Sequence, residues 1–358
     1  MHMADALISP TVGGTMLAAT AGLIAYSAKK TGEDLDEGKV PLMGVLGAFI
    51  FAAQMINFSI PATGSSGHLG GGMILAILLG PYAAFLTMAS ILTVQALFFA
   101  DGGLLALGCN IFNLGFFSCF VAYPLIYQRV VGGRPTRGRI LFGAVLGAVV
   151  ALQLGAFGVV LETLFSGITA LPFSSFVLLM QPIHLAIGIV EGLVTGAVVL
   201  FVWKARPEAL AAASPVPARG GLALKRVVLG LAVAAVVIGG GLSWFASTHP
   251  DGLEWAMFHT SGQEELAAPA EGLHGLSAAI QEKTALLPDY QFKGKETAAA
   301  GKAEVAGHGA SAGEPAVKKG KWPAVSKGTS VAGLLGGAMT LLLAGLIGLG
   351  LRAITRAK

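Results

Sequence analysis

Charge is what this sequence has least of. Only 12% of its 358 residues are Asp, Glu, Lys or Arg, against about one-quarter in soluble globular domains. With 54% hydrophobic residues, that scarcity excludes an ordinary water-soluble globule. Cysteine is nearly absent. Cys109 and Cys119 share one apolar stretch at a spacing that fits neither a disulfide framework nor a zinc site, so both read as small core residues. No G-x-x-x-x-G-K-[ST] phosphate loop occurs, "GEDLDEGKV" being the nearest failure, so the chain carries no ATPase of its own. No H-E-x-x-H occurs either, which removes the usual membrane metalloprotease. A basic leader before the first apolar run is missing, so no signal peptide is expected. Nothing suggests nucleic acid as a partner.

Long apolar runs are what the sequence has instead. A spanning helix needs about 20 such residues. Runs fall at Pro10 to Ala28, Val40 to Phe58, Pro81 to Phe99, Leu104 to Tyr127, Ile140 to Leu161, Pro182 to Trp203, Val227 to Phe245 and Val331 to Leu351. A ninth, His68 to Gly80, is too short to cross alone and reads as a half-buried helix. The fold class is therefore all-α, a polytopic membrane bundle with a seven-helix core and two further C-terminal helices. The 51 glycines suit it, because small residues let spanning helices approach closely. Basic residues concentrate on the cytoplasmic side of membrane proteins. Placing the N-terminus outside puts 15 of the 23 Lys and Arg inside, and the other eight in one long outer segment too long to obey the rule. The C-terminus is then cytoplasmic. Residues 1–205 form the first unit, 206–221 a Pro/Ala/Gly linker, and 222–358 a two-helix unit around an outer segment, 247–328. Within that segment "HPDGLEWAMFHT" and "LLPDYQF" read as ordered, while the composition from Lys293 onward is linker-like.

The first two residues offer a metal three nitrogens: the terminal amine of Met1, the backbone amide of His2 once deprotonated, and the His2 imidazole Nδ1. They close fused five- and six-membered chelate rings nearly in one plane, leaving one corner open. Ni(II) and Cu(II) favour square-planar nitrogen sites. Binding releases protons, so affinity rises with pH. The outer loop "PATGSSGHLGGG" supplies His68 for the fourth corner, with glycines that permit close backbone approach. Thr63, Ser65 and Ser66 of that loop, and Gln54, Asn57, Gln95, Asn110 and Asn113 at nearby helix ends, are candidates to orient the ligands. Asp101 reads as a turn residue or an anchor for the N-terminal strap. Asp5 reads as a helix cap or a second anchor. Alone, a second-position His or a loop His is an ordinary residue; on one face of a membrane protein the two point to a site.

His184 and Glu191 lie seven apart on one face of a spanning helix. Ionisable groups inside a membrane usually face the bundle and act there, or fix helix packing. Glu162 reads as interfacial. His249, His259, His274 and His308 read as ordinary loop histidines, with metal collection as the alternative. On the first helix Gly14, Ala18, Ala21, Gly22 and Ala25 form a small-residue stripe suited to close helix contact, within the chain or with another subunit.

With these residues in place, the chain resembles the substrate-capturing membrane component of nickel/cobalt transporters of the energy-coupling-factor type. The resemblance rests on the opening "MH", "VPLMGVLGAFIFAAQMINF", "GSSGHLGGG", "LLGPYAAFLTMASILTVQALFFADGG", "ALGCNIFN" and "HLAIGIVEGLVTG". It implies a square-planar site of four nitrogens: the Met1 amine, the His2 amide and imidazole, and the His68 imidazole. The C-terminal unit resembles the two-helix accessory component of such systems, through "PDGLEWA" and "LLPDYQF", here fused to the first. The resemblance also implies a bacterial inner-membrane location, and as partners a coupling transmembrane protein and two ATP-binding cassette ATPases, with the first-helix stripe a docking candidate. The transported Ni2+ or Co2+ is the only metal expected, and no separate cofactor. Three other classes compete: an ion-coupled secondary transporter using His184 and Glu191, a membrane-embedded enzyme, and a structural assembly protein.

Overall fold

In the computed structural model the described residues are 2–34, 38–133, 135–205, 222–263, 266–293 and 322–356. Met1, the 206–221 linker and His308 lie outside them. The helices are α1 (Pro10–Glu33), α2 (Lys39–Gln54), α3 (Gly72–Leu79), α4 (Pro81–Phe99), α5 (Leu107–Val131), α6 (Arg137–Ser166), α7 (Phe173–Ala205), α8 (Leu222–Gly240), α9 (Gly252–Ser261), α10 (Gly272–Thr284) and α11 (Lys327–Arg356). A two-stranded antiparallel hairpin, β1 (Phe58–Ile60) and β2 (Ser65–Gly67), is the only sheet among the described residues. Six helices, α1, α4, α5, α6, α7 and α11, are long and apolar enough to cross a membrane. Large apolar side chains such as Phe165, Leu178 and Leu346 stay exposed around them, as a lipid-facing surface requires. The protein is a polytopic helical membrane protein.

Helices occupy all nine expected runs, and their ends carry the corrections. The short helix does not begin at His68. Gly71 takes a left-handed φ of +79°, where a side chain is disfavoured, and a Cβ there would meet Ile50 at 2.5 Å. The helix therefore starts at Gly72 and leaves His68 on the loop before it. α2 ends at Gln54 rather than Phe58, because the chain turns into the hairpin. α5 starts at Leu107, since the backbone of residues 100–106 is used to receive the N-terminal strap. α7 starts at Phe173, nine residues before its expected start, and holds Pro182 inside. The run from Val227 to Phe245 breaks after α8 into a short 3-10 turn, Leu242–Phe245.

α6 and α7 form an antiparallel pair in close contact. A Cβ on Gly192 would meet the Val145 Cα at 2.3 Å, so the pair depends on glycine there, as close helix approach in membranes generally does. α3 is buried among α4, α5 and α7. α8 and α11 lie along α2, so the second unit packs on the first. α1 packs against α4 and α5 through Gly13 and Thr20, whose hydroxyl donates to the Gly108 carbonyl at 2.9 Å. Its opposite face points away from the chain. Gly14, Ala18, Ala21, Gly22 and Ala25 are exposed, and a Cβ on Gly14 or Gly22 would meet nothing within 4 Å. Cys109 and Cys119 are buried and unpaired by any disulfide.

Candidate metal centre

The site is built from an N-terminal strap and a glycine loop. The strap buries Met3, Leu7 and Ile8 in the core. Asn110 holds Met3 from both sides: its Oδ1 accepts from the Met3 N–H at 2.8 Å, and its Nδ2 donates to the Met3 carbonyl at 3.1 Å. The Gly103 N–H donates to the same carbonyl at 2.9 Å. Asp5 accepts from the Ala106 N–H at 3.0 Å. It anchors the strap and does not cap α1; the cap is Ser9, whose hydroxyl accepts from Val12 N–H at 3.4 Å.

The loop is held from within the bundle. Glu191 on α7 accepts from the N–H groups of Gly70 and Gly71 at 2.7 and 3.1 Å. Gln54 donates to the Gly70 carbonyl at 2.8 Å and accepts from Gln95 Nε2 at 2.9 Å. Thr63 and Ser65 bond to each other and to the hairpin backbone, not toward the imidazoles. Ser66 faces the second unit: its N–H donates to the Pro250 carbonyl at 2.8 Å and its hydroxyl to the His249 carbonyl at 2.8 Å. The Asn57 carbonyl accepts from the Ser247 N–H at 2.7 Å, and so joins the same seam.

Strap and loop bring His2 and His68 together. Their rings stack with centroids 5.0 Å apart and planes 17° from parallel. Imidazoles on adjacent corners of a planar site with metal–nitrogen bonds of about 2 Å would have centres about 4.5 Å apart. The His68 Nδ1 lies 3.1 Å from the Leu69 carbonyl. A carbonyl only accepts, so Nδ1 carries the proton and Nε2 keeps its lone pair for a ligand. The His2 Nδ1 lies 3.5 Å from Asp101 Oδ1, while His2 Nε2 and Gln95 Oε1 are buried without a partner. A half-turn of this ring about Cβ–Cγ moves Nδ1 to the opposite edge and brings Nε2–H to the edge beside Asp101. Burial lowers the pKa of both imidazoles, that of His68 to about 3, so both rings are neutral and able to bind metal at physiological pH. Among the described residues no group of three or more His, Cys, Asp or Glu side chains is placed to hold a metal ion. A third or fourth donor has to come from elsewhere.

The remaining candidates divide. His184 is buried, bonds the Met180 carbonyl through Nδ1 at 2.8 Å, and lines a cavity of about 10 Å³ with His68, Gly70, Asp251 and Gly252. Glu162 is buried rather than interfacial, because Asn113 donates to it at 2.7 Å. His259 is an exposed residue whose ring lies against Trp255 with the planes tilted by 33°. His274 is no loose loop residue: it is buried, and its Nε2 bonds the Ile8 carbonyl of the strap at 2.9 Å. Sequence reasoning singled out "PDGLEWA" and "LLPDYQF" as segments but no residue in them. Asp251 reaches the His68 cavity, forms a bridge with Ser66, and caps α9 in a capping box with Glu254. Tyr290 donates to Asp101, and Gln281 donates to the Ala96 and Gly102 carbonyls. The signal available was only that these residues lie in the polar outer segment ahead of its linker-like part.

Residues 2–209 match the family model described as the cobalt uptake substrate-specific transmembrane region, CbiM. The chain belongs to this family. Residues 225–353 match the PDGLE domain, so this CbiM-family chain carries a PDGLE domain fused behind it. The fused nickel transport protein NikMN of Rhodobacter capsulatus is 32% identical over 316 residues, covering 81% of this chain and 88% of that protein. The crystal structure of a truncated transition metal transporter matches with a TM-score of 0.51 at 32% identity, over 57% of this chain and 99% of that one. A second transition metal transporter structure matches with a TM-score of 0.52 at 31% identity, over 62% and 100%. The family resemblance drawn from the sequence is borne out. The chain is a membrane component for metal uptake, a transporter part rather than an enzyme.

Proposed function

We propose that this CbiM-family chain captures Ni2+ or Co2+, nickel preferentially, in a square-planar site of four nitrogens. The ligands are the Met1 amine, the His2 amide, the His2 Nδ1 and the His68 imidazole. The observation that carries the reading is the stacking of two buried imidazoles from distant parts of the chain, one on a strap locked by Asn110 and one on a loop clamped by Glu191. Nickel is favoured because its d8 ion takes planar nitrogen sites. Asp101, Gln95 and Gln54 orient the imidazoles, as outer-shell groups do in metal sites.

The N-terminus and the site lie on the extracytoplasmic side of the inner membrane, and the C-terminus lies inside. Residues 222–358 act as an accessory unit for metal loading. Energy comes from a coupling transmembrane protein and two ATP-binding cassette ATPases. The exposed Gly14, Ala18, Ala21, Gly22 and Ala25 stripe is the docking face for the coupling protein. The rival reading, a secondary transporter with His184 and Glu191 as proton carriers, fits less well. Both Glu191 oxygens are engaged by loop N–H groups.

The test is metal titration of the purified full chain beside His2→Ala and His68→Ala. The proposal expects one tightly bound Ni(II) per chain and loss of tight binding in each variant. Unchanged binding in both variants rejects the ligand set.

A further inference from the structure

Asp101 divides its carboxylate between the two units of the chain. Its Oδ1 lies 3.5 Å from the His2 imidazole, and its Oδ2 accepts from the Tyr290 hydroxyl. Tyr290 comes from the PDGLE domain, 189 residues away in sequence. The same hydroxyl accepts from Gln95 Nε2 at 3.4 Å. Gln95 donates to Gln54, and Gln54 donates to the Gly70 carbonyl, two residues beyond His68. One phenol therefore joins the support of His2 to the support of the His68 loop.

The ring is seated for this task. It stacks on Phe99 with centroids 5.2 Å apart and planes 21° from parallel, and meets Phe51 edge-on at 6.3 Å. Asp289 and Tyr290 both hold a left-handed backbone, with φ of +48° and +61°. Adjacent non-glycine residues seldom adopt it, and such strain collects where a side chain must be aimed. Burial holds the phenol far above its ordinary pKa, so it stays a donor.

We propose that Tyr290 is a positioning residue for metal capture, through which the accessory unit sets the orientation of the His2 imidazole by way of Asp101 and steadies the His68 loop by way of Gln95 and Gln54. This rests on the reading of His2 and His68 as ligands. It gives the accessory unit a defined part in metal binding: when the unit is seated, the two imidazoles are held for the ion.

Tyr290→Phe in the full chain separates orientation from packing, because the ring keeps its place against Phe99 and only the hydroxyl is lost. Titration with Ni(II) alone is expected to show affinity reduced about 10- to 100-fold, the usual range for an outer-shell partner, with a shifted or broadened d–d absorption of bound Ni(II). Asp101→Asn should give a similar loss, and adding Tyr290→Phe to it should cost little more. Gln291→Ala, whose side chain bonds Ser326 and Thr329, should bind like the wild type. If Tyr290→Phe matches the wild type in affinity and absorption, or if the two losses simply add, the proposal is overturned. If the wild type itself binds no Ni(II), the ligand assignment fails and this inference falls with it, a result distinct from normal binding in both proteins.

Discussion

Asn110 grips the peptide backbone of Met3 with both ends of its side-chain amide, at 2.8 and 3.1 Å. A residue on a membrane-spanning helix thus fixes the two peptide units on either side of the Met3 Cα. Any metal ligand at residues 1 and 2 inherits its position from this pair.

Asn110→Ala removes both bonds. The Met3 carbonyl keeps the Gly103 N–H, but the Met3 N–H is left buried and unpaired, at a cost of about 1–3 kcal/mol. Ni(II) affinity is expected to fall about 10- to 100-fold, read by calorimetric titration. Asn110→Asp keeps only the acceptor and should lie between the two.

Glu191→Gln distinguishes loop clamp from proton carrier. A carboxamide can accept from one of the Gly70 and Gly71 N–H groups but turns its own N–H2 toward the other. The loop beneath His68 then loosens, and metal binding weakens about tenfold or more. A proton carrier would instead keep binding and lose only transport. Equilibrium binding and uptake, measured on the same variant, separate these outcomes.

The pH dependence follows from burial of the two imidazoles. Both pKa values are depressed, His68 to about 3, so neither ring releases a proton when metal binds near neutrality. The protons come from the amine and the amide instead. Affinity therefore rises with pH. Ordinary imidazoles would steepen that slope below about pH 6.5. Calorimetry in buffers of different ionisation enthalpy counts the protons directly.

The small-residue stripe of α1 should matter for assembly and not for capture. Gly14→Leu with Gly22→Leu adds bulk where nothing lies within 4 Å, so Ni(II) binding should stay within twofold of wild type. Uptake in cells supplied with the coupling protein and its ATPases should fall sharply, because close helix contact needs small residues. Co-purification with those subunits reads the same effect.

Much of this was legible because membrane helices announce themselves by length and apolarity. The bundle from Pro10 to Arg356, the buried cysteines, and His2 beside His68 all follow from runs and exceptions within runs. Helix ends were less legible. Gly71 stops α3 short of His68 by its backbone conformation and by the approach of Ile50, and neither is written in hydropathy. Pro182 suggested a start for α7, yet the helix runs through it. Tyr290 and Gln281 were missed, and His274 was read as a loop histidine, for a related reason. Each is an ordinary polar residue in a polar tract, and its meaning lies in a partner 185 or more residues away (Asp101, Ile8 and Ala96 respectively). Glu162 misled because its partner Asn113 comes from another helix.

The central claim is that the chain's first amine and first amide complete the site that His2 and His68 begin. Its most direct test acetylates the Met1 amine and compares the optical and magnetic properties of the Ni(II) complex with those of the free N-terminus. The account predicts a diamagnetic, yellow 1:1 complex for the free amine and its loss in the acetylated chain, because the amine donor is removed and its chelate ring cannot close. A yellow, diamagnetic complex of equal affinity in the acetylated protein would contradict it.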